Sequence, residues 1–264
     1  MADAYRALLG ARLRAQTSYR ASFALDLLAN VGIGLLEFCE IYVIFHNIDV
    51  LGGLDWQEAL LVFALSNIAF SLADLGFGHL DELPRYLRAG TLDAMLLRPL
   101  PLLGQLVTSD ISLRRLGRTA IALVVLAYAL PTAVADWTPA KLLLVLVTPI
   151  AGAAVFAALF VCAAALQFWL VDGGEVANAF TYGGSYVSQY PSSVLHVLLR
   201  SFFTFVVPAS FVAYLPTLVL LDRSPPTGLP AALGWCAPLA AMAMSVVAAA
   251  WWRQGIRHYT GAGG

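Results

Sequence analysis

Charge is scarce in this chain. Asp, Glu, Lys and Arg make up 12% of its 264 residues, against about a quarter in an ordinary soluble domain, which excludes a globule surrounded by water. The basic residues are not gathered on a soluble face, so the net charge of −1 points to no nucleic-acid partner. The three cysteines, Cys39, Cys162 and Cys236, stand inside apolar runs. That leaves packed, reduced thiols rather than a disulfide framework. His46, His79, His196 and His258 are scattered without zinc-like spacing, and no metal site is expected. No G-x-x-x-x-G-K-[ST] phosphate loop occurs, so this chain is not expected to handle ATP itself. The lack of an H-E-x-x-H motif, or of a serine–lysine pair on facing spans, speaks against a membrane-embedded enzyme. Met1 opens a polar, basic segment instead of a short apolar stretch with a cleavage site, so no removable signal peptide is expected.

What the chain has in quantity is apolar sequence: 60% of residues are hydrophobic, and they come in long blocks. A helix needs about 20 mainly apolar residues to cross the hydrocarbon core. Five runs meet this: 23–45, 59–77, 119–134 with its flanks, 142–171 and 231–252. The stretch 175–221 is harder to place. Its first part, EVANAFTYGGSYVSQYP, is mildly apolar and interrupted by glycine, and its second is strongly apolar but carries Pro208 and Pro216. Two topologies follow. Either 196–221 is the fifth span and 175–191 is cytoplasmic, or 175–189 is the fifth span and 192–221 is a re-entrant hairpin turning near Pro208. Hydropathy favours the first and the prolines favour the second. Both give an all-α integral membrane protein with six crossings and its two termini on one side, a single transmembrane domain over 1–264.

The basic residues set the sides. Twelve of the fifteen Lys and Arg fall in the amino-terminal segment, the 79–118 loop and the carboxyl end, which the positive-inside rule makes cytoplasmic. The opposite loops hold Lys141 and Arg223, and Arg200 changes side with the topology. Residues 3–20, DAYRALLGARLRAQTSYR, place Tyr5, Leu8, Leu9 and Leu13 on one face among arginines. This predicts an interfacial amphipathic helix over 1–21, the alternative being the frayed start of the first span.

Within the 79–118 loop, RYLRAGTLDAMLLRPLPLLGQL predicts a short, rigid helix. Gly90 ends one helical turn, Thr91 can cap the next, and Asp93 suits its first turn. Leu92, Met95 and Leu96 form an apolar stripe; Arg98 closes the helix before Pro99 and Pro101 stop it. An ordinary connector would explain the basic residues but not the cap, stripe and double-proline stop together.

At these residues the chain resembles the type 2 ABC exporter permeases, in particular the branch whose six-span permeases are encoded as pairs beside one ATPase. The resemblance rests on GTLDAMLLRPL (90–100), SDISLRRLGR (109–118), SQYPSSVLHVLLRSFFTFVVPASFVAYLP (188–216) and the ending WWRQGIRHYTGAG (251–263). It covers nearly the whole chain, and four stretches in the right order are more specific than any one. It implies a bacterial cytoplasmic (inner) membrane location and a cytoplasmic coupling helix seated in a groove of the nucleotide-binding subunit, with Thr91, Leu92, Asp93, Leu96, Arg98 and Pro99 as the contact segment. It implies an interfacial amino-terminal helix and a re-entrant helical hairpin before the last span. As partners it implies two copies of an ABC ATPase that carry ATP and Mg, a second permease that is a homologous, non-identical chain, and membrane lipid. This chain itself would bind no cofactor.

Two acids lie inside the first span, Glu37 and Glu40, one turn apart. Charge at membrane depth is costly and faces protein or a water-filled path, and two such carboxylates oppose each other's ionisation. With Phe38 and Tyr42 they outline a substrate path for a hydrophobic or amphiphilic cation; the alternative is a structural pair near the outer loop. Asp26 and Asp74 fall near cytoplasmic ends, where arginines are close. Gln167 is a candidate for hydrogen bonding between helices. Small residues crowd AGAAVFAALFVCAAAL (151–166) and AMAMSVVAAA (241–250), which allows close helix packing. Trp56, Trp137, Trp251 and Trp252 stand at the expected interfaces. The expectation is an exporter of a hydrophobic or amphiphilic compound, with lipid or lipid-linked cargo as the alternative and a membrane enzyme or scaffold as the second.

Overall fold

The structure, a computed structural model, describes Gly10, Arg14 and residues 20–110, 112–170, 173–225 and 229–260. Apart from Gly10, Arg14, Arg20 and Ala21, the expected interfacial helix over 1–21 lies outside the described residues. The described residues form helices and no strand, an all-α membrane fold. Among the described residues five helices are long and apolar enough to cross a bilayer, or six if one bent pair is counted as a span.

Helix α1, Arg20–Asn47, is followed by a tight turn and then α2, Trp56–Phe77. Asp55 starts α2 with a reciprocal capping box: its carboxylate accepts from the Glu58 backbone N–H, and the Glu58 carboxylate accepts from the Asp55 N–H, both at 3.0 Å. A 3-10 segment, Gly78–Glu82, leads to three short helices of the connecting loop: α3, Leu83–Arg88; α4, Thr91–Leu96; and α5, Leu102–Ser109. Then come α6, Leu116–Ala133, and α7, Pro139–Leu166. The Thr138 hydroxyl caps α7 and Pro139 fills its first turn, where a missing N–H costs nothing.

Helix α2 is the axis of the bundle. Its most apolar window is 72% buried, against 17% for that of α1, because α6, α7 and α8 (Gly174–Ser188) all pack on it. Close approach of α7 depends on Gly152: a Cβ there would lie 2.7 Å from the Ala69 Cβ. Helix α11, Ala237–His258, packs along α7 and ends with Arg257 and His258, a favourable charge for a helix carboxyl end.

The segment after α8 is bent. Helix α9, Val197–Ser201, widens into a π turn, Phe202–Val206, breaks at Val207 and Pro208, and resumes through Ala209–Phe211 to α10, Tyr214–Leu220. The two limbs meet at 72°. Pro208 has no N–H to continue a helix, and the Thr204 and Ser210 hydroxyls join across the break at 2.9 Å. Pro216 does not break anything, because it falls in the first turn of α10.

Both ends of this bent segment are held by the same turn. The Ser193 hydroxyl donates to the Gly52 carbonyl at 2.7 Å, and Arg223 Nη1 donates to the Gly53 carbonyl at 2.6 Å. Arg223 also pairs with Glu58 at 2.7 Å, and Lys141 with Asp222 at 2.6 Å. The chain therefore enters and leaves the segment at one end of the bundle. Between that end and the other runs α8: the Ser188 and Ser66 hydroxyls share a 2.5 Å hydrogen bond, while the Tyr182 hydroxyl donates to Asp81 at 2.9 Å.

Candidate functional site

The short helix α4 is set by Gly90. With φ of 65°, Gly90 takes the left-handed conformation that reverses the chain after α3 and itself occupies the N-cap position. Thr91 is therefore not the cap expected from sequence; it is already inside the helix, and its hydroxyl reaches back to the Tyr86 carbonyl at 3.4 Å. The helix also ends earlier than expected. Leu97 is its C-cap, and Arg98 lies one residue beyond, in the turn before Pro99.

One side of α4 is fastened and the other is open. Leu92 is fully buried and Met95 half-buried, whereas Leu96 and Leu97 are 43% and 88% exposed. The expected stripe is thus split, with Leu96 on the outer side. Arg98 and Pro99 are exposed beside it. Two fastenings come from residues that sequence reasoning missed. The Gln105 amide donates to the Met95 and Leu100 carbonyls, both at 2.9 Å, and closes the turn that carries Arg98. The Tyr259 hydroxyl, just past α11, donates to Asp93 Oδ1 at 2.9 Å. Burial, then the hydrogen bond and charge of Asp93, raise the Tyr259 pKa above the ordinary phenol value, so it stays a donor at neutral pH. A cleft of about 340 Å³ remains between α3, α4 and α5, lined by Tyr86, Thr91, Met95, Arg98, Gln105 and Ser109.

The root of the loop is polar and paired. His79 Nε2 and the Tyr86 hydroxyl share a 2.9 Å hydrogen bond, and His79 Nδ1 faces Asp110 at 3.7 Å. Arg115 pairs with Asp74. These contacts hold the helical loop against the end of α2.

The two acids of α1 stand in different settings. Glu37 is 4% exposed and is engaged by Arg118, from the first turn of α6, whose Nε donates to Oε2 at 2.8 Å and whose Nη2 donates to Oε1. The guanidinium also lies 5.0 Å from the centre of the Phe70 ring. One arginine thus ties α1, α6 and α2 and gives Glu37 a counter-charge. Glu40 is exposed on α1. Phe38 packs edge-on against Trp56 and Phe63, and Tyr42 stands exposed between Trp56 and His46. The four residues of the expected substrate path are therefore divided, Glu37 and Phe38 turned inward and Glu40 and Tyr42 outward. The pairing of Glu37 with Arg118 had no local signal, since the two are 81 positions apart.

No curated protein and no solved structure matches the chain. A family model described as ABC-2 family transporter protein matches residues 31–263, from inside α1 to beyond α11 and across the whole helical loop. The chain belongs to the ABC-2 family of transporter proteins.

Proposed function

We propose that this membrane protein is the permease subunit of an ATP-driven exporter. It works with two copies of a separate ABC ATPase, which bind ATP and Mg, and with a second permease chain. The observation that carries this reading is the two-sided build of α4. Leu92, Asp93 and the Gln105-clamped turn fix its inner side to the bundle, while Leu96, Leu97, Arg98 and Pro99 project as an apolar knob with a cation beside it. A rigid helix with a free contact edge transmits displacement; a floppy connector would absorb it.

In this reading the 79–118 loop and both termini face the cytoplasm of a bacterial inner membrane, supported by the bias of basic residues. Helix α8 is the fifth of six crossings, and residues 192–221 form a re-entrant hairpin from the outer side. Support comes from Ser193 and Arg223, which bind adjacent carbonyls of one turn. The cargo is a hydrophobic or amphiphilic compound. With Glu37 neutralised by Arg118, any preference for cations rests on Glu40 and Tyr42 of the exposed α1 face.

The test is co-expression with an ABC ATPase from the same genome, followed by purification and reconstitution. A stoichiometric complex whose ATP hydrolysis requires this chain is expected. A chain that neither binds that ATPase nor alters its turnover would overturn the reading.

A further inference from the structure

Two apolar cavities run end to end beside α11. The outer one, about 480 Å³, separates Leu239, Met244 and Val247 from Phe205 and Phe211 of the bent segment. The inner one, about 380 Å³, separates Val247 and Trp251 from Leu159, Leu166 and Phe180. Val206 and Val247 line both, so the two adjoin along one groove-like face of α11. Measured along α11 from Cys236 to Trp251, it is about 22 Å long at a helical rise of 1.5 Å per residue. Its rim is open and greasy: Phe205, Val206, Leu239 and Val247 are 66%, 59%, 59% and 54% exposed. In a hydrocarbon layer about 30 Å thick, this is a seat for a chain of methylenes.

The inner end has a different chemistry. Trp251, which lines the groove, lies 5.1 Å from Trp169, and His258 stacks on Trp169 at 5.4 Å and 19°. Tryptophan of this kind marks the level of lipid headgroups. Helix α11 contains no acid, and its basic residues, Arg253, Arg257 and His258, all fall in its last six residues and are exposed. An apolar trough ending in aromatic and basic side chains matches a lipid with a negative head.

We propose that this groove holds a resident anionic phospholipid, an acyl chain lying along Val247 and Leu159 and the phosphate at the Trp169–His258 stack, where the exposed Arg257 is the adjacent residue in the chain. A long arginine side chain spans from helix to headgroup by laying its methylenes on the apolar surface. The site is separate from the α4 surface, and lipid binding is read without ATPase or transport. Its failure would therefore leave the proposed export function standing.

The test titrates the purified full chain with phosphatidylglycerol and phosphatidylcholine of identical acyl chains, read by native mass spectrometry. The parent is expected to bind phosphatidylglycerol about fivefold more tightly than phosphatidylcholine, the scale of one basic side chain near an anionic headgroup. Val247→Trp, at an exposed position, is expected to lose the bound lipid by plugging the groove. Leu143→Trp, on the exposed face of α7, should retain it and serves as the folding control. Arg257→Ala combined with His258→Ala should bring phosphatidylglycerol down to the phosphatidylcholine level. Equal binding of the two lipids by the parent would overturn the proposal, as would retention of lipid by Val247→Trp. A loss of dimer in Val247→Trp with lipid retained would assign the groove to a second copy of the chain instead.

Discussion

The Tyr259 hydroxyl and the Asp93 carboxylate meet at 2.9 Å although they stand 166 positions apart. This contact joins α4 to the carboxyl end of the last long helix. Tyr259 also packs its ring against Phe168 at 5.9 Å, at the end of α7, so displacement of α4 is felt by two helices at once. Tyr259→Phe keeps the ring and removes only the hydroxyl. A hydrogen bond to a charged group is worth about 1.5–3 kcal/mol, and the half-buried setting favours the lower end. The expected outcome is a permease that still binds its ATPase and supports hydrolysis, with several-fold less transport per ATP. An unchanged ratio of transport to hydrolysis in proteoliposomes would show that the contact transmits nothing.

The outer edge of α4 should behave differently. Leu97 is 88% exposed, and in the proposed function its side chain is free to meet the ATPase. Leu97→Asp or Arg98→Glu is therefore expected to leave membrane insertion and thermal stability within about 0.5 kcal/mol of the parent, as for surface changes in general. Both should weaken the complex with the ATPase, measured by its retention on the tagged permease. Charge reversal at Asp93 is more severe, since it also discards the Tyr259 bond.

Glu37 and Arg118 supply a stability prediction. Removing one member of a buried pair costs about 3–5 kcal/mol because the other is left uncompensated, whereas replacing both by apolar groups is often close to neutral. Glu37→Met and Arg118→Met should each lower the melting temperature clearly, and the double variant should recover most of the loss. If the single variants melt like the parent, the pair is not buried in the membrane-embedded protein. Glu40→Gln, at an exposed site, should not affect melting; a selective loss of resistance to cationic toxic compounds would instead assign it to the cargo path.

How much of this could be read from sequence depends on the range of the interactions involved. The five long helices follow from runs of apolar residues, and their starts from local chemistry such as Asp55 with Glu58 or Thr138 with Pro139. The position of α4 follows from Gly90 and Pro99, and only its cap and its last residue are displaced, because the left-handed glycine takes the role given to Thr91. The partners that fasten it, Gln105 and Tyr259, carry no pattern of their own. Arg118 counts as one more basic residue of a cytoplasmic loop until α6 turns it toward α1. The bent segment is a case of balance: composition makes 192–221 look like a span, Pro208 argues for a break, and the contacts of Ser193 and Arg223 with Gly52 and Gly53, which favour the hairpin, join residues more than a hundred positions apart.

Those contacts lead to the most direct topological test. If residues 192–221 spanned the membrane, positions 196 and 224 would lie on opposite sides. If the segment is re-entrant, both lie outside, and the start of α8 lies inside. His196, Ser224 and Glu175 are all exposed, so a cysteine at each tolerates modification without disturbing packing. In a background with Cys39, Cys162 and Cys236 replaced, a membrane-impermeant maleimide added to intact cells should label His196→Cys and Ser224→Cys alike. Glu175→Cys should react only after the membrane is opened. Arg223→Ala in the same background removes the bond to Gly53 and the pair with Glu58, and should raise the labelling rate at position 224 without changing its side. Labelling of 224 but not of 196 from outside would establish a spanning helix in place of the hairpin, and α8 would then have to lie in the cytoplasm.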